Sequence, residues 1–509
     1  MDFFKGVCVY QSFIGLEVHI HLLTKTKVFC GCRSAFGDEP NTNVCPVCMG
    51  YPGVLPSLNI EAMRMGCMVA RALNCRIPEK TWFERKQYFY PDMPKNYQIS
   101  QFASPLGQEG WVELEGKIKN SGGEEISIKK KVRIKECHLE EDAGKMIHTG
   151  TVSLLDYNRA GVSLLEIVTE PDMETGEEAE LFIQQLRRTV RYLGVCDGNM
   201  EEGSLRADAN VSINFEGKGL GKKVEIKNLN SSRFVKLSLN YEIARQGVML
   251  DTGREVIQET RLWNENRDET APMRTKENAQ DYRYFPEPDL PVFTPDAAFL
   301  KSVGDSLVEL PLARQKRLET VYGISPEQAG LICEEKSQAD YFETAVAEAE
   351  KQGSGRKNAA QKIANWLLQD IKHILVREGI GLDDFALNPR RLATLVSLTA
   401  SGSISGKNAK QTLEAVIAEN REPEDIIRER GWERLSDPAK IAEALDTVFA
   451  AESKTVAELR ELAVAEENRG IVKRRQTLCA YLVGKVIAAT GGRADPVIAG
   501  EQLSRKLAS

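Results

Sequence analysis

Apolar residues in this 509-residue chain follow two different periods, and the change between them falls at one place. Up to about residue 293 they recur at alternate positions, in short runs broken by Gly, Pro and Asn, as in half-buried β-strands. From about residue 295 they recur at i, i+3 and i+4, as in amphipathic helices. Between the two lies Glu287-Pro288-Asp289-Leu290-Pro291, a rigid, non-helical stretch, because proline fixes its own φ and restricts the preceding residue. A chain with two periods predicts two architectures in series. We expect an α+β fold, with a mixed or antiparallel sheet in the N-terminal half and helices after it.

So long a chain exceeds one ordinary core. We expect domains at 1–293, 294–405 and 406–509, the second boundary lying in the small flexible run Ser401-Gly402-Ser403-Ile404-Ser405-Gly406. Ser325-Pro326-Glu327-Gln328 has the cap, first-position proline and capping-box glutamine of a helix start, and Asp437-Pro438 opens another. Leu478, Tyr481, Leu482, Lys485 and Val486 mark a helical stripe in the tail.

Charge and cysteine usage narrow the classes. With 67 basic and 74 acidic side chains the net charge is −7, so a nucleic-acid partner must meet a local basic patch. No run of about 18 apolar residues exists, so no membrane span is expected. Met1-Asp2-Phe3-Phe4-Lys5-Gly6 lacks a basic, then apolar, secretory pattern. Cysteines 8, 67, 75, 137, 196, 333 and 479 sit mostly among apolar neighbours and read as reduced core residues. The expected compartment is the cytoplasm.

The other four cysteines form two pairs. Cys30-Gly31-Cys32 is followed twelve residues later by Cys45-Pro46-Val47-Cys48. Two pairs on tight turns supply the four soft ligands of a tetrahedral zinc at about 2.3 Å, and a reducing compartment disfavours disulfides. Four protein ligands make a structural site, one that folds the loop between residues 23 and 53. Four unconnected core thiols are the alternative.

Ile14–Leu22 (IGLEVHIHL) alternates strictly, with Glu17, His19 and His21 on one face. Arg206, Asp208 and Asn210 share a polar face in Leu205–Ile213, as do Glu225 and Lys227 further on. His138 and Glu140 align if their strand extends that far. Carboxylates and an imidazole from several strands suit Mg²⁺, with Arg206 and Lys227 placed to neutralise phosphate. Solvated strand faces give the same pattern.

Together these strings closely resemble the B subunits of aspartyl/glutamyl-tRNA amidotransferases. The resemblance runs through Ile14–Leu22, Cys45–Leu55 (CPVCMGYPGVL), Arg85–Gln101 (RKQYFYPDMPKNYQISQ) and His138–Lys145 (HLEEDAGK). It continues through Asp156–Met173 (DYNRAGVSLLEIVTEPDM), Gly203–Ser212 (GSLRADANVS), Glu225–Ser231 (EIKNLNS) and Thr275–Pro291 (TKENAQDYRYFPEPDLP). Weaker likeness, such as Ile363–Leu368 (IANWLL), extends it over the helical part, and the segment 452–475 departs from the usual tail.

The resemblance implies a cradle-shaped kinase domain, a helical domain and a tail domain that touches tRNA. It implies ATP-dependent activation of the side-chain carboxylate of Asp or Glu mischarged on tRNA, then amidation with ammonia from a glutaminase A subunit, with a small C subunit completing a heterotrimer. By matching positions the Mg²⁺ site falls on Glu17, His19, Glu140 or Glu141, Asp208 and Glu225. Arg159 and Lys276 are candidates for phosphate or substrate carboxylate, or are ordinary surface cations. Tyr88, Tyr90 and Tyr97, alternating with cations, either stack unpaired bases of the acceptor end or pack their loop. Arg469, Lys473, Arg474, Arg475, Arg493, Arg505 and Lys506 suit a tRNA backbone or a solvated helix face.

Overall fold

The computed structural model describes residues 10–120, 122–273, 282–382, 385–464 and 469–508. The chain divides into two compact units, Met1–Pro311 and Leu312–Ser509.

Among the described residues the first unit holds thirteen strands: β1 (Tyr10–His21), β2 (Glu84–Gln87), β3 (Tyr97–Ser100), β4 (Gly107–Lys119), β5 (Glu125–Glu141), β6 (Lys145–Thr149), β7 (Val152–Asp156), β8 (Ser163–Thr169), β9 (Leu205–Phe215), β10 (Val224–Leu229), β11 (Glu259–Asn264), β12 (Glu269–Pro272) and β13 (Phe285–Pro286). Eleven form one sheet in the order β12-β11-β10-β9-β1-β8-β5-β3-β2-β13, with β4 paired to β5. β10 and β11 run parallel and the other pairs antiparallel, so the sheet is mixed. β6 and β7 form a separate hairpin.

The alternation of β1 buries Ile14, Leu16, Val18 and Ile20, and that of β9 buries Leu205, Ala207, Ala209, Val211 and Ile213. All of these side chains but Ile213 share one core with helices that include α1 (Ile60–Ala72), α2 (Gly176–Tyr192) and α3 (Ser232–Asp251). Each helix starts where a side chain takes an otherwise unpaired backbone N–H: Asn59 accepts from Glu61, Thr175 from Glu178 and Ser231 from Phe234. Alternation alone does not reveal these helices. α2 nevertheless carries a helical period in Ala179, Phe182, Ile183, Leu186 and Val190, all buried. Helices on the apolar face leave the opposite face of β1, β8, β9 and β5 for polar side chains.

The second unit is helical. One apolar cluster extends from Leu318 to Ile427 and another from Ile441 to Leu503. The capping box at Ser325 and Gln328 forms, and the Asp437 side chain accepts from Ala439 N–H at 2.9 Å. In the tail stripe Leu478, Leu482 and Val486 are buried, whereas Tyr481 is exposed. Among the described residues no helix is long and apolar enough to cross a membrane.

Candidate active site

Strand register brings the polar residues of separate sequence blocks together. Glu17 pairs with Asp208 and His19 with Arg206 across β1 and β9. On the other side of β1, His19 pairs with Glu166 of β8, which in turn pairs with His138 of β5. A single row therefore runs Arg206, His19, Glu166, His138 across four strands.

His19, Glu140 and Glu166 form a compact group with ligand atoms all within 4.8 Å of one another. His19 Nε2 stands 3.3 Å from Glu166 and 3.9 Å from Glu140. His138 Nε2 stands 3.1 Å from Glu166 and 3.7 Å from Glu140, and the Ser100 hydroxyl donates to Glu140 at 3.1 Å. Burial alone would lower the His138 pKa, but hydrogen bonds to Glu140 and Glu166 carry it up to about 10. Burial would likewise raise Glu166, yet the two imidazoles hold it well below the usual carboxylate range. Two carboxylates and two imidazoles this close hold one another through shared protons, and a divalent cation is the natural replacement. Glu166 is absent from the residues that the sequence pattern singles out. Its neighbours in β8 are apolar on both faces, Leu164, Leu165, Ile167 and Val168, so the sequence pattern gives little signal for it.

The second group lies along β9 and β10. Lys227 Nζ donates to Asp208 at 2.7 Å and lies 3.0 Å from Glu225, while Thr260 donates to Glu225 at 2.7 Å. Burial works against the Lys227 ammonium, but these two carboxylates raise its pKa. Asn210 Nδ2 donates to Glu17 at 2.9 Å. A bulge makes the geometry. Ile226 pairs with Ala209 and Leu229 with Ala207, so Lys227 and Asn228 together oppose Asp208. Asn228 takes φ +66°, a left-handed conformation that Asn tolerates.

Arg206, Arg159 and His21 converge on Asp142, at 2.9, 3.3 and 2.7 Å. Burial would raise the Asp142 pKa, but the cations around it, Arg206 foremost, hold it far below the usual range. The Arg159 guanidinium also donates to the Ala143 and Gly144 carbonyls, at 2.9 and 2.8 Å. Among the described residues, the buried Arg206 Nε and Asn210 Oδ1 have no hydrogen-bond partner. A face with an unused donor and an unused acceptor beside its carboxylates fits a ligand carrying both charges and lone pairs. Lys276 lies outside the described residues.

Glu141 goes elsewhere. The β5–β8 pairing is regular from Glu136 to Glu141, so Glu140 stays on the face of His138 and Glu141 takes the other. There it pairs with Lys95 and accepts from the Ile99 N–H at 2.8 Å.

Cys30, Cys32, Cys45 and Cys48 also bring their sulfurs within 4.8 Å of one another. Ligands 2.3 Å from a tetrahedral zinc stand about 3.8 Å apart, so the four fit a structural metal. A thiol hydrogen bond from Cys30 holds Cys48 down to about 4 against burial, with help from the Cys45 N–H and the Lys27 charge. Burial first, then Cys45, pushes Cys32 up to about 11.

Tyr88 and Tyr90 lie 5.9 Å apart, and Tyr97 sits under the Arg85 guanidinium at 4.4 Å. In the tail, Lys473 is exposed. Arg474 pairs with Glu458 at 2.7 Å, and Arg493 donates to the Thr490 and Gly431 carbonyls at 3.1 and 3.2 Å. Arg475 also has a partner.

A mixed sheet with helices on its apolar face, and with imidazoles, carboxylates and cations converging on its polar face, defines an α+β protein with a cluster of ionisable side chains on one sheet face. Residues 12–301 match the family described as GatB/GatE catalytic domain, and residues 340–507 match the GatB domain. The B subunit of the aspartyl/glutamyl-tRNA(Asn/Gln) amidotransferase from Acaryochloris marina is 44% identical over 506 residues, 98% of each chain. Its counterpart from Carboxydothermus hydrogenoformans is 42% identical over 507 residues, 98% of this chain and 99% of the other. The chain belongs to this family of amidotransferase B subunits.

Proposed function

We propose that the chain uses ATP to activate the side-chain carboxylate of Asp mischarged on tRNA(Asn), of Glu mischarged on tRNA(Gln), or of both. A carboxylate resists attack by ammonia because it is anionic and lacks a leaving group. In the proposed reaction a carboxylate oxygen attacks the γ-phosphorus of ATP, the bond to ADP breaks, and an acyl phosphate forms. Ammonia attacks its carbonyl carbon, phosphate leaves and a proton is lost, giving Asn-tRNA(Asn) or Gln-tRNA(Gln). The ammonia comes from a glutaminase A subunit, and a C subunit completes a cytoplasmic heterotrimer.

The protein's part is positioning and charge neutralisation. His19, Glu140 and Glu166 would hold one Mg²⁺, and Glu17, Asp208 and Glu225 lie along the same face for a second. Bound there, the cation would offset phosphate charge. Arg206 and Lys227 bring positive charge to the same face, Tyr88, Tyr90 and Tyr97 would meet the acceptor end, and Lys473 with its basic neighbours would meet the tRNA backbone. In our assignment Glu141, turned towards Lys95, is not a ligand.

The observation that carries this reading is the convergence of Glu17, His19, Glu140, Glu166, Asp208 and Glu225, from five strands, on one face beside two unpartnered buried polar atoms. Asp208→Ala, assembled with the A and C subunits, is expected to lose ATP-dependent amide formation while keeping glutaminase activity. Wild-type turnover by that variant would refute the assignment.

A further inference from the structure

Phe102 and Tyr284 form a stacked pair at the border of this site. Their rings are nearly parallel, 10° apart, with centroids 4.2 Å from each other. Phe102 is 59% exposed, so its ring is accessible to a ligand. The ring is not on a loose loop. Both the Phe102 and the Ala103 N–H donate to one carboxylate oxygen of buried Glu84, at 2.7 and 2.9 Å. Two residues upstream, Ser100 donates to Glu140 of the cation group. Tyr284 lies near enough for Glu140 and Glu166, after burial, to help raise its phenol pKa. Lys86 Nζ sits 4.8 Å over the ring of Tyr282, whose edge meets Tyr284.

A rigid aromatic face, open to solvent and beside a cluster suited to phosphate and metal, is what a nucleobase stacks on. We propose that Phe102, backed by Tyr284, is a stacking platform for an adenine ring. The inference rests on the proposed reaction, whose substrates offer that ring twice: in ATP and in the 3′-terminal adenosine of the tRNA. Phe102 would be a binding residue that sets nucleotide affinity without taking part in phosphoryl transfer.

The test uses the assembled heterotrimer. Phe102→Ala and Phe102→Trp are compared with wild type by KM for ATP, KM for mischarged tRNA, and fluorescence of tRNA carrying 2-aminopurine at its 3′ end. Loss of one stacked base predicts a rise of about 5- to 150-fold in the affected constant, restored by Trp. A rise confined to ATP assigns the platform to the nucleotide. A rise confined to tRNA, with loss of 2-aminopurine quenching, assigns it to the terminal adenosine. If both constants stay within twofold of wild type, the platform is wrong, although normal wild-type amidation would leave the proposed reaction standing. Absence of amidation in the wild-type heterotrimer would instead count against the reaction itself. Tyr284→Leu, which removes the backing ring and keeps Phe102, is expected to give a smaller rise in the same constant, and no change there would also overturn the platform.

Discussion

The Lys27 ammonium, on a fully buried side chain, lies 3.6 Å from Cys48 Sγ. Its other hydrogen bond goes to the Tyr157 carbonyl at 3.2 Å. A buried cation is costly unless an anion faces it, so this contact matches a Cys48 thiolate. Four thiolates around a divalent metal would carry a net charge of −2, and Lys27 would offset part of it. Lys27→Met is therefore expected to weaken metal binding by about 10- to 100-fold with the four cysteines intact. Chelator competition, or the visible spectrum on Co²⁺ titration, measures it. Unchanged affinity would show that the lysine is a packing residue only.

Glu166 stands between two imidazoles and beside Glu140. Glu166→Gln keeps the shape and removes the charge. Affinity for Mn²⁺, followed by electron paramagnetic resonance, is expected to fall at least tenfold, and amide formation with it. A variant binding Mn²⁺ like wild type would remove Glu166 from the ligand set.

The bulge at Asn228 is what lets Lys227 share the position opposite Asp208. A β-branched residue at φ +66° is strained, typically by about 1–3 kcal/mol. Asn228→Val should lower the melting temperature accordingly, whereas Asn228→Gly loses mainly the hydrogen bond to the Trp263 carbonyl and costs less. Equal melting of the two variants would mean that the backbone conformation is not the constraint.

In the second unit Glu343 accepts from Arg314 at 2.6 Å and from Tyr322 at 3.1 Å, and pairs with Arg317 at 2.5 Å. Burial would raise its pKa, but the hydrogen bonds from Arg317 and Arg314 lower it below the ordinary value of 4.5. A carboxylate whose folded pKa is depressed stabilises the fold above its unfolded pKa, and that contribution is lost as pH falls through the folded value. Acid melts should thus show a loss beginning near pH 4.5 that Glu343→Gln lacks. At pH 7 the same variant leaves buried Arg314 with Asp340, at 2.7 Å, as its remaining carboxylate partner and is expected to cost about 1–3 kcal/mol.

Local pattern revealed a good deal of this site. Glu17, His19, Asp208 and Glu225 are legible from strict alternation, because a strand beside an apolar core has one free face whatever its partners are. The four cysteines are legible from spacing, since tight turns bring i and i+2 or i+3 together. Glu166 is harder to pick out, because a single charge in an apolar run carries little signal without its neighbours. α1–α3 are obscured by the dominant period-two pattern of the same half.

Glu140 and Glu141 mark where local pattern stops. In β5 the core positions are Val132 and Ile134, then Cys137 and Leu139, a change of parity that no alternation rule anticipates. The cause is a bulge, where Ile134 and Glu136 pair with the adjacent Thr169 and Val168. Period, turn chemistry and the spacing of cysteines are properties of neighbours along the chain, so the sequence by itself determined the α+β division, the polar faces and the four-cysteine cluster. Which carboxylate faces His19, that Lys227 reaches Asp208, and that Phe102 meets Tyr284 depend on register between strands far apart in sequence. Only the folded sheet decided them, because one inserted residue turns every later side chain to the opposite face.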